Sequence, residues 1–345
     1  MAETMDEASI GVVVIGRNEG ERLRKCLTSL QNVPVRVYVD SGSTDDSCGL
    51  ACELGFDVVN LDLSKGFSAA RARNAGIDHL LGRDPALEYI QAVDGDCEVR
   101  DGWIDTARAD LAADLQRAVV FGRRRERYPN RNAYHLACDD EWDVPAGEVN
   151  SCGGDALFRV TALRDVVGYN DELIAGEEPD MCLRMRQKGW KIWSNGKEMT
   201  WHDVAIDRIG QWWKRSKRTG YGVARLVDLH GEAADPSWRR LLHSAGFWTL
   251  ANLTALIGFV VLLISRNLTL SVIAVLPVAL VIVQILRLTR SKAHRLGVSG
   301  SFKWACLMMI AKAAQLRGWL DYRADKRAHK PATLIEYKEE PTGSR

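Results

Sequence analysis

The chain has 345 residues, 46% of them hydrophobic and 26% charged, a composition that excludes a disordered or fibrous protein. Its net charge of +1 combines two opposite halves, because residues 1–206 contain 24 Lys and Arg against 36 Asp and Glu, whereas residues 207–345 contain 22 against 9. The acidic half disfavours nucleic acid as a partner, and the basic half, which surrounds apolar segments, indicates the anionic cytoplasmic face of a membrane.

Short apolar runs alternate with helical patterns over the first 120 residues. The predicted strands are residues 10–15, 35–39, 57–61 and a run starting at Tyr89. The predicted helices are residues 21–30, a helix that follows the turn at 40–45 and ends near Leu54, and residues 67–81. This alternation predicts an α/β fold with a doubly wound, mostly parallel sheet. Ligands of such sheets bind at the carboxyl ends of the strands.

The fourth predicted strand ends in Asp94-Gly95-Asp96. Gly95 allows a tight turn, so that both carboxylates can face one hard cation or a ribose. An ordinary turn after a strand is the alternative interpretation of the same residues.

The pattern is less regular after residue 122. A basic run at 123–125 is followed by a glycine-containing run at 152–155, in which Gly154 is a candidate substrate contact, and by an acidic loop at 176–180. Helical periodicity returns at residues 181–188.

Residues 247–264 and 268–286 are each long and apolar enough to cross a bilayer, and Ser265-Arg266-Asn267 separates them. Basic residues flank this hairpin on both sides, which predicts that both flanks are cytoplasmic; Pro277 predicts a kink in the second span. Residues 211–215 suit either a membrane interface or a solvated helix with core tryptophans.

Residues 302–322 form an amphipathic pattern, interpreted as a helix on the membrane surface, with packing against the soluble domain as the alternative. The Lys/Glu-rich tail that follows is predicted to be disordered. These predictions divide the chain into a catalytic domain at 1–206, juxtamembrane helices at 207–245, two transmembrane helices at 246–288, and an amphipathic, basic region at 289–345.

Several stretches in this order resemble the family 2 inverting glycosyltransferases of the GT-A fold. They are Val14-Ile15-Gly16-Arg17-Asn18-Glu19, Val39-Asp40-Ser41-Gly42-Ser43-Thr44-Asp45, Ala72-Arg73-Asn74-Ala75-Gly76 and Asp94-Gly95-Asp96. The resemblance covers nearly the whole soluble part of the chain.

The resemblance implies roles for individual residues. Asp40 would bind the base of a nucleotide sugar, with uridine expected, Asp94 would face the ribose or a metal, and Asp96 would hold Mn²⁺ or Mg²⁺ at the diphosphate. His202 would be a late metal ligand, with a structural histidine as the alternative. The other implied substrate contacts are Asn18, Glu19, Ser41, Gly42, Lys65, Arg71 and Arg73, the last three having plain surface charge as their alternative.

The resemblance also implies a catalytic base in an acidic pair that opens a helix after the metal motif. Here the matching stretch is Gly176-Glu177-Glu178-Pro179-Asp180, in which Glu178 is the expected base and Asp180 its rival. Asp180 could equally cap the helix.

The predicted function is therefore metal-dependent, inverting sugar transfer from a nucleotide sugar to a lipid-linked or glycan acceptor, by a multi-pass protein of the cytoplasmic membrane with its catalytic part in the cytoplasm. Eight cysteines without a Cys-x-x-Cys pair favour a reducing compartment. The alternatives are a polyprenyl-phosphate glycosyltransferase and an inactive membrane scaffold that binds nucleotide sugar. A nucleotidyltransferase is disfavoured because no Gly-rich phosphate loop with a lysine follows the first strand.

Overall fold

The computed structural model describes residues 9–330 and 335–336, and within them a mixed nine-stranded sheet precedes a bundle of long helices. The strands are β1 Ile10–Gly16, β2 Val35–Asp40, β3 Asp57–Asn60, β4 Tyr89–Asp94, β5 Cys97–Val99, β6 Arg117–Glu126, β7 Gly147–Val149, β8 Ala156–Arg159 and β9 Lys191–His202. The α-helices are α1 Glu21–Thr28, α2 Ser47–Glu53, α3 Ala69–Arg83, α4 Trp103–Ala113, α5 Ala133–Glu141, α6 Val160–Asp165, α7 Glu177–Gln187, α8 Ile209–His230, α9 Pro236–Ile264 and α10 Leu268–Arg327.

The N-terminal half of the sheet is parallel, in the order β3-β2-β1-β4. The central residues of β1 are fully buried, as expected for a parallel strand covered on both faces. The carboxyl ends of β1, β2 and β4 therefore meet at one edge, where Ile15 pairs with Asp94 and Gly16 with Asp40. The predicted α/β, doubly wound fold is confirmed.

The C-terminal half of the sheet is mixed. β8 runs antiparallel to both β4 and β6, β9 runs parallel to β6, and β5 and β7 pair antiparallel with β9. The long strand β9 ends at His202, whose register partner on β5 is Cys97. This pairing brings a histidine from late in the chain beside the Asp94-Gly95-Asp96 turn.

Two helices are long and apolar enough to cross a membrane. Windows of α9 and α10 have hydropathies of 2.2 and 2.6, and only 17% and 11% of these windows is buried within the protein. Such exposed apolar surface suggests membrane association. The predicted spans lie inside these helices and the predicted turn at Ser265-Arg266-Asn267 separates them, but α9 begins earlier, at Pro236, and α10 continues to a break at Gly297.

The part of α10 after Gly297 packs against α8, and its Leu307 joins a small apolar core with Ala137 and Cys138 of α5. Residues 302–322 therefore pack against the soluble domain, which is the alternative stated above. Backbones touch at this crossing, since a Cβ on Gly220 would lie 2.0 Å from the Gln315 carbonyl and a Cβ on Gly318 2.0 Å from the Lys217 carbonyl. At the start of α8, Trp212 is 2% exposed and belongs to a small apolar core, so it is a core tryptophan. Helix α10 continues past Tyr322 to Arg327, so the start of the tail that was predicted to be disordered is helical. Most of the remaining tail lies outside the described residues.

Candidate active site

A cavity of about 580 Å³ opens at the carboxyl ends of β1 and β4. This volume lies within the range of roughly 300–1,000 Å³ that is usual for small-molecule sites. Its walls are formed by the segments after the parallel strands, the first turns of α3 and α7, and one face of α8. The structure brings together the following predicted residues in its lining: Asn18, Glu19, Ser41, Arg73, Asp94, Asp96, Gly154, Glu178 and His202.

Arg73, on α3, is 2% exposed and bridges acidic groups from two other elements. One guanidinium nitrogen, Nη2, donates to Asp94 Oδ1 at 2.7 Å, and the other, Nη1, donates to Glu178 Oε1 at 2.8 Å. Glu177 lies 3.4 Å from Nη1. Charge-assisted hydrogen bonds of this kind are strong, so Arg73 fixes the first turn of α7 relative to the end of β4. The surface-charge interpretation of Arg73 is therefore wrong.

Asp94 is held from a second side by residues that the sequence analysis did not select. Arg124 Nη2 lies 3.1 Å from Asp94 Oδ2 and 3.0 Å from Asp155 Oδ2. The other oxygen of Asp155 accepts the Asp94 backbone N–H at 2.9 Å. Burial acts to raise the pKa of Asp94, but the charges of Arg73 and Arg124 outweigh it and the pKa is lowered. Both oxygens of Asp94 are thus occupied by guanidinium groups.

Asp96 and His202 form the pair best suited to a cation. His202 Nε2 lies 3.0 Å from Asp96 Oδ2, and both side chains are almost fully buried. Burial acts to lower the pKa of His202, but the Asp96 carboxylate raises it overall. A carboxylate oxygen and an imidazole nitrogen at this distance fit a divalent ion such as Mn²⁺, whose ligands are of these types.

Glu126 lies behind His202 and is 0% exposed. Its Oε2 lies 3.8 Å from His202 Nδ1, and its Oε1 bonds His135 Nδ1 at 2.9 Å. Burial acts to raise the pKa of Glu126, but the hydrogen bond with His135 and the nearby imidazole of His202 lower it to about 2. The group is therefore an anion that faces the second ring nitrogen of His202, an arrangement that fixes which nitrogen can face a metal.

The loop after β2 is tied to the loop after β1. Asn18 has a φ of 54°, which asparagine tolerates, and its Oδ1 accepts the Thr44 backbone N–H at 2.7 Å. Asp40 is 4% exposed, and its Oδ2 accepts the Gly42 backbone N–H at 2.9 Å. Asp40 and Gly42 thus brace this loop from behind, whereas Ser41 reaches the cavity wall.

Gly154 lies where no larger residue fits. A Cβ at this position would lie 2.4 Å from Arg73 Nη2 and 2.8 Å from Asp94 Oδ2, so a side chain would displace the ion pair. Lys65 and Arg71 lie away from this cluster. Lys65 is exposed on a short turn, and Arg71 donates to the Asp62 carbonyl at 2.9 Å.

The two candidate bases differ in their surroundings. Glu178 lines the cavity with a side chain that is 14% exposed, and burial together with the charge of Glu177 raises its pKa to about 7, against the opposing charge of Arg73. Asp180 is 1% exposed, and its carboxylate lies 2.7 Å from Arg184 and 2.8 Å from His230. The Asp180 carboxylate is thus engaged in a buried structural network, whereas the Glu178 carboxylate lines the cavity.

The fold and the site define a class: glycosyltransferases of the GT-A type. A solved mannosyltransferase, PcManGT from Pyrobaculum calidifontis, determined with GDP-Man and Mn²⁺, superposes with a TM-score of 0.60, over 92% of this chain and 88% of that one, at 17% identity. At this identity, the similarity concerns the fold.

Two models of glycosyltransferase families match this chain. The model for glycosyl transferase family 2 matches residues 11–163, and that for glycosyl transferase family group 2 matches residues 115–286. Together the two models cover residues 11–286, and both matches support a place for this chain among the family 2 glycosyltransferases.

Curated relatives agree with this placement. A pre-mycofactocin glycosyltransferase of Mycobacterium tuberculosis is 26% identical over 242 residues, which are 66% of this chain and 49% of the relative. The succinoglycan biosynthesis protein ExoA of Rhizobium meliloti is 26% identical over 240 residues, 64% of this chain and 68% of ExoA. The matched region thus spans about half of the first relative's length.

Proposed function

We propose that this protein transfers a sugar from a nucleoside diphosphate sugar to a lipid-linked acceptor, with inversion at the anomeric carbon and with a divalent metal. One observation carries the proposal. The cavity places a carboxylate–imidazole pair, Asp96 and His202, on one wall and a carboxylate with a pKa of about 7, Glu178, on another. Inverting transfer needs a cation at the leaving diphosphate and a base near the attacking hydroxyl.

The donor lies against the segments that follow the parallel strands. Ser41 and the loop behind it, which Asn18 and Asp40 brace, contact the nucleoside, and the resemblance to family 2 favours uridine. Guanosine is the second base to test, because the structural neighbour was determined with GDP-Man. A carboxylate has about four lone-pair sites, so Asp94, whose side chain is 27% exposed, accepts hydrogen bonds from the ribose while Arg73 and Arg124 hold it.

Asp96 and His202 hold the metal, Mn²⁺ or Mg²⁺. When bound, the ion neutralises charge that develops on the leaving diphosphate. Glu126 orients the imidazole of His202 from behind, and Glu178 accepts the proton of the acceptor hydroxyl. Its pKa of about 7 suits this task, because a general base works best when its pKa lies near the operating pH.

The acceptor reaches the site at the membrane surface. The helices α9 and α10 expose apolar side chains over their membrane-length segments. Basic residues flank the hairpin on both sides, which favours a cytoplasmic position for the catalytic domain. An acceptor carried by a lipid would be presented at that surface.

The test is sugar transfer and donor hydrolysis by the full chain in native membranes, with UDP- and GDP-sugars, in Mn²⁺ or in excess EDTA. We expect turnover with Mn²⁺, none in EDTA, and none from Asp96→Ala. Asp101→Ala, which removes an exposed carboxylate five residues away, is the matched control and should retain full activity. Full turnover in EDTA would refute metal dependence. Nucleotide binding without any turnover would instead identify an inactive scaffold.

A further inference from the structure

One face of α8 forms a wall of the same cavity that the loops after β1 and β4 line. The residues that line it recur at intervals of three and four, as expected for one helix face. They are Arg215, Arg218, Thr219, Gly222, Val223 and Leu226. The wall is therefore basic at its N-terminal end and apolar at its C-terminal end.

Arg218 differs from three neighbouring cations of α8, which form ion pairs. Arg215 makes a bidentate ion pair with Glu141 at 2.9 and 3.0 Å, Lys217 pairs with Asp321 at 2.6 Å, and Arg225 pairs with Glu172 at 3.2 Å. Arg218 lines the cavity and is half-buried, and among residues 9–330 and 335–336 no side chain forms a hydrogen bond or ion pair with it. Its planar guanidinium suits a phosphate, because it can donate two parallel hydrogen bonds to phosphate oxygens.

Arg218 lies on the side of the cavity where the acceptor must approach. One turn further along α8, Gly222 contacts the segment that precedes α7, since a Cβ there would lie 2.9 Å from Ala175. That segment leads directly to Glu178, the proposed base. The cations nearest the nucleotide side, Arg73 and Arg124, are already paired with carboxylates.

An apolar strip continues from Arg218 toward the membrane helices. Val223 and Leu226 follow it on α8, and Trp238, in the first turns of α9, completes this part of the lining. Further along the same helix α9, side chains such as Phe247 and Leu250 are more than half exposed. This wall of the cavity thus offers the Arg218 guanidinium and then apolar side chains that lead to the helices suited to a bilayer.

We propose that Arg218 binds the phosphate of an amphiphilic acceptor whose apolar chain lies along Val223 and Trp238, which are both partly exposed in the cavity lining. The proposal rests on the proposed function, because it assigns the acceptor half of the same cavity. It names the acceptor class as a lipid phosphate or diphosphate. Arg218 would select such acceptors over uncharged lipids, and the apolar side chains would select them over water-soluble phosphates.

Binding measurements on the full chain in neutral detergent test this assignment. The probes are farnesyl phosphate, farnesol and inorganic phosphate, and, separately, UDP and GDP with Mn²⁺. Loss of a hydrogen-bonded charge pair should weaken farnesyl phosphate binding roughly 10- to 100-fold in Arg218→Ala, to the level of farnesol. Nucleotide affinity should be unchanged. Arg218→Lys keeps the charge but loses the planar guanidinium, so its affinity for farnesyl phosphate should lie between those of the wild type and Arg218→Ala. This variant also controls for misfolding of the alanine variant.

Lys214→Ala is the matched control, since Lys214 is an exposed cation one turn earlier on α8 and outside the cavity lining. It should bind every probe as the wild type does. Wild-type farnesyl phosphate affinity in Arg218→Ala would overturn the assignment, as would a selective loss of UDP or GDP binding, which would place Arg218 at the donor. Equal affinity of the wild type for inorganic phosphate and farnesyl phosphate would overturn the lipid part. Failure of the proposed function would appear differently, as absence of any Mn²⁺-dependent nucleotide binding.

Discussion

Replacement of Glu178 by Gln should abolish catalysis and, at the same time, stabilise the folded protein at alkaline pH. The variant keeps the shape of the side chain and an oxygen that can still accept from Arg73, but it cannot accept a proton. General-base catalysis typically contributes about 10²- to 10⁴-fold, so transfer should fall by at least about 10²-fold while nucleotide binding is unchanged.

The stability effect follows from the pKa. In the unfolded chain the carboxyl group of Glu178 has a pKa near 4.5, and in the folded protein it is raised to about 7 by burial and by Glu177. The folded state therefore holds this proton more tightly, so the stability contribution is complete below pH 4.5 and is lost as the pH rises through 7. The shift corresponds to an ionisation cost on the order of 3 kcal/mol at pH 8, which the glutamine variant avoids.

Two measurements check these statements. Transfer by the wild type should rise from pH 6 to 8, with a midpoint near the pKa of about 7, and the melting temperature of Glu178→Gln should exceed that of the wild type at pH 8 but not at pH 4.5. Asp180→Asn is the contrasting variant: it breaks a buried network with Arg184 and His230 and should lose about 3–5 kcal/mol of stability. Near-normal transfer by Glu178→Gln, together with an inactive but folded Asp180→Asn, would refute Glu178 as the base.

Three further predictions concern the metal, the helix crossing and the topology. Glu126→Gln should weaken Mn²⁺ binding about 10- to 100-fold, because His202 loses the carboxylate that faces its second ring nitrogen. Mn²⁺ titration followed by electron paramagnetic resonance measures the affinity, and an unchanged value would contradict this prediction. Gly318→Leu should lower the melting temperature, because its Cβ would overlap the Lys217 carbonyl, whereas Gly82→Ala, with open space around its Cβ, should not; equal melting temperatures would refute close packing of α8 and α10. A protease on the cytoplasmic side of sealed vesicles should cut both before α9 and after α10, and protection of either site would overturn the proposed orientation.

The parallel half of the fold was predictable because its signals are local. Apolar runs, helical periodicity and the turn at Asp94-Gly95-Asp96 each occupy a few adjacent residues, and they placed β1, β2, β3 and β4 within one or two residues of the observed bounds. The two membrane-length segments were predictable for the same reason. Their ends were less so, because α9 and α10 continue as helices beyond the apolar stretches.

The site residues that the sequence analysis did not predict depend on the mixed half of the sheet. Arg124, Glu126 and Asp155 enter it through the pairing of β6, β8 and β9, which no short sequence pattern specifies. A signal for Asp155 was present, since a charged residue directly before the apolar strand β8 must find a buried partner. Arg218 gave no such signal, because a basic residue on an amphipathic helix is usually a solvated one.

The contact between Gly222 and Ala175 means that the catalytic domain is not self-sufficient. Residues 9–206 contain the sheet and every group proposed for the donor, the metal and the proton, yet one wall of their cavity belongs to α8. A shortened chain that stops before α8 would keep the residues proposed to cleave the nucleotide sugar. Its cavity, however, would be exposed to water on the acceptor side. We expect such a fragment to hydrolyse the sugar nucleotide instead of transferring the sugar, so the membrane-proximal helices would determine which nucleophile reacts.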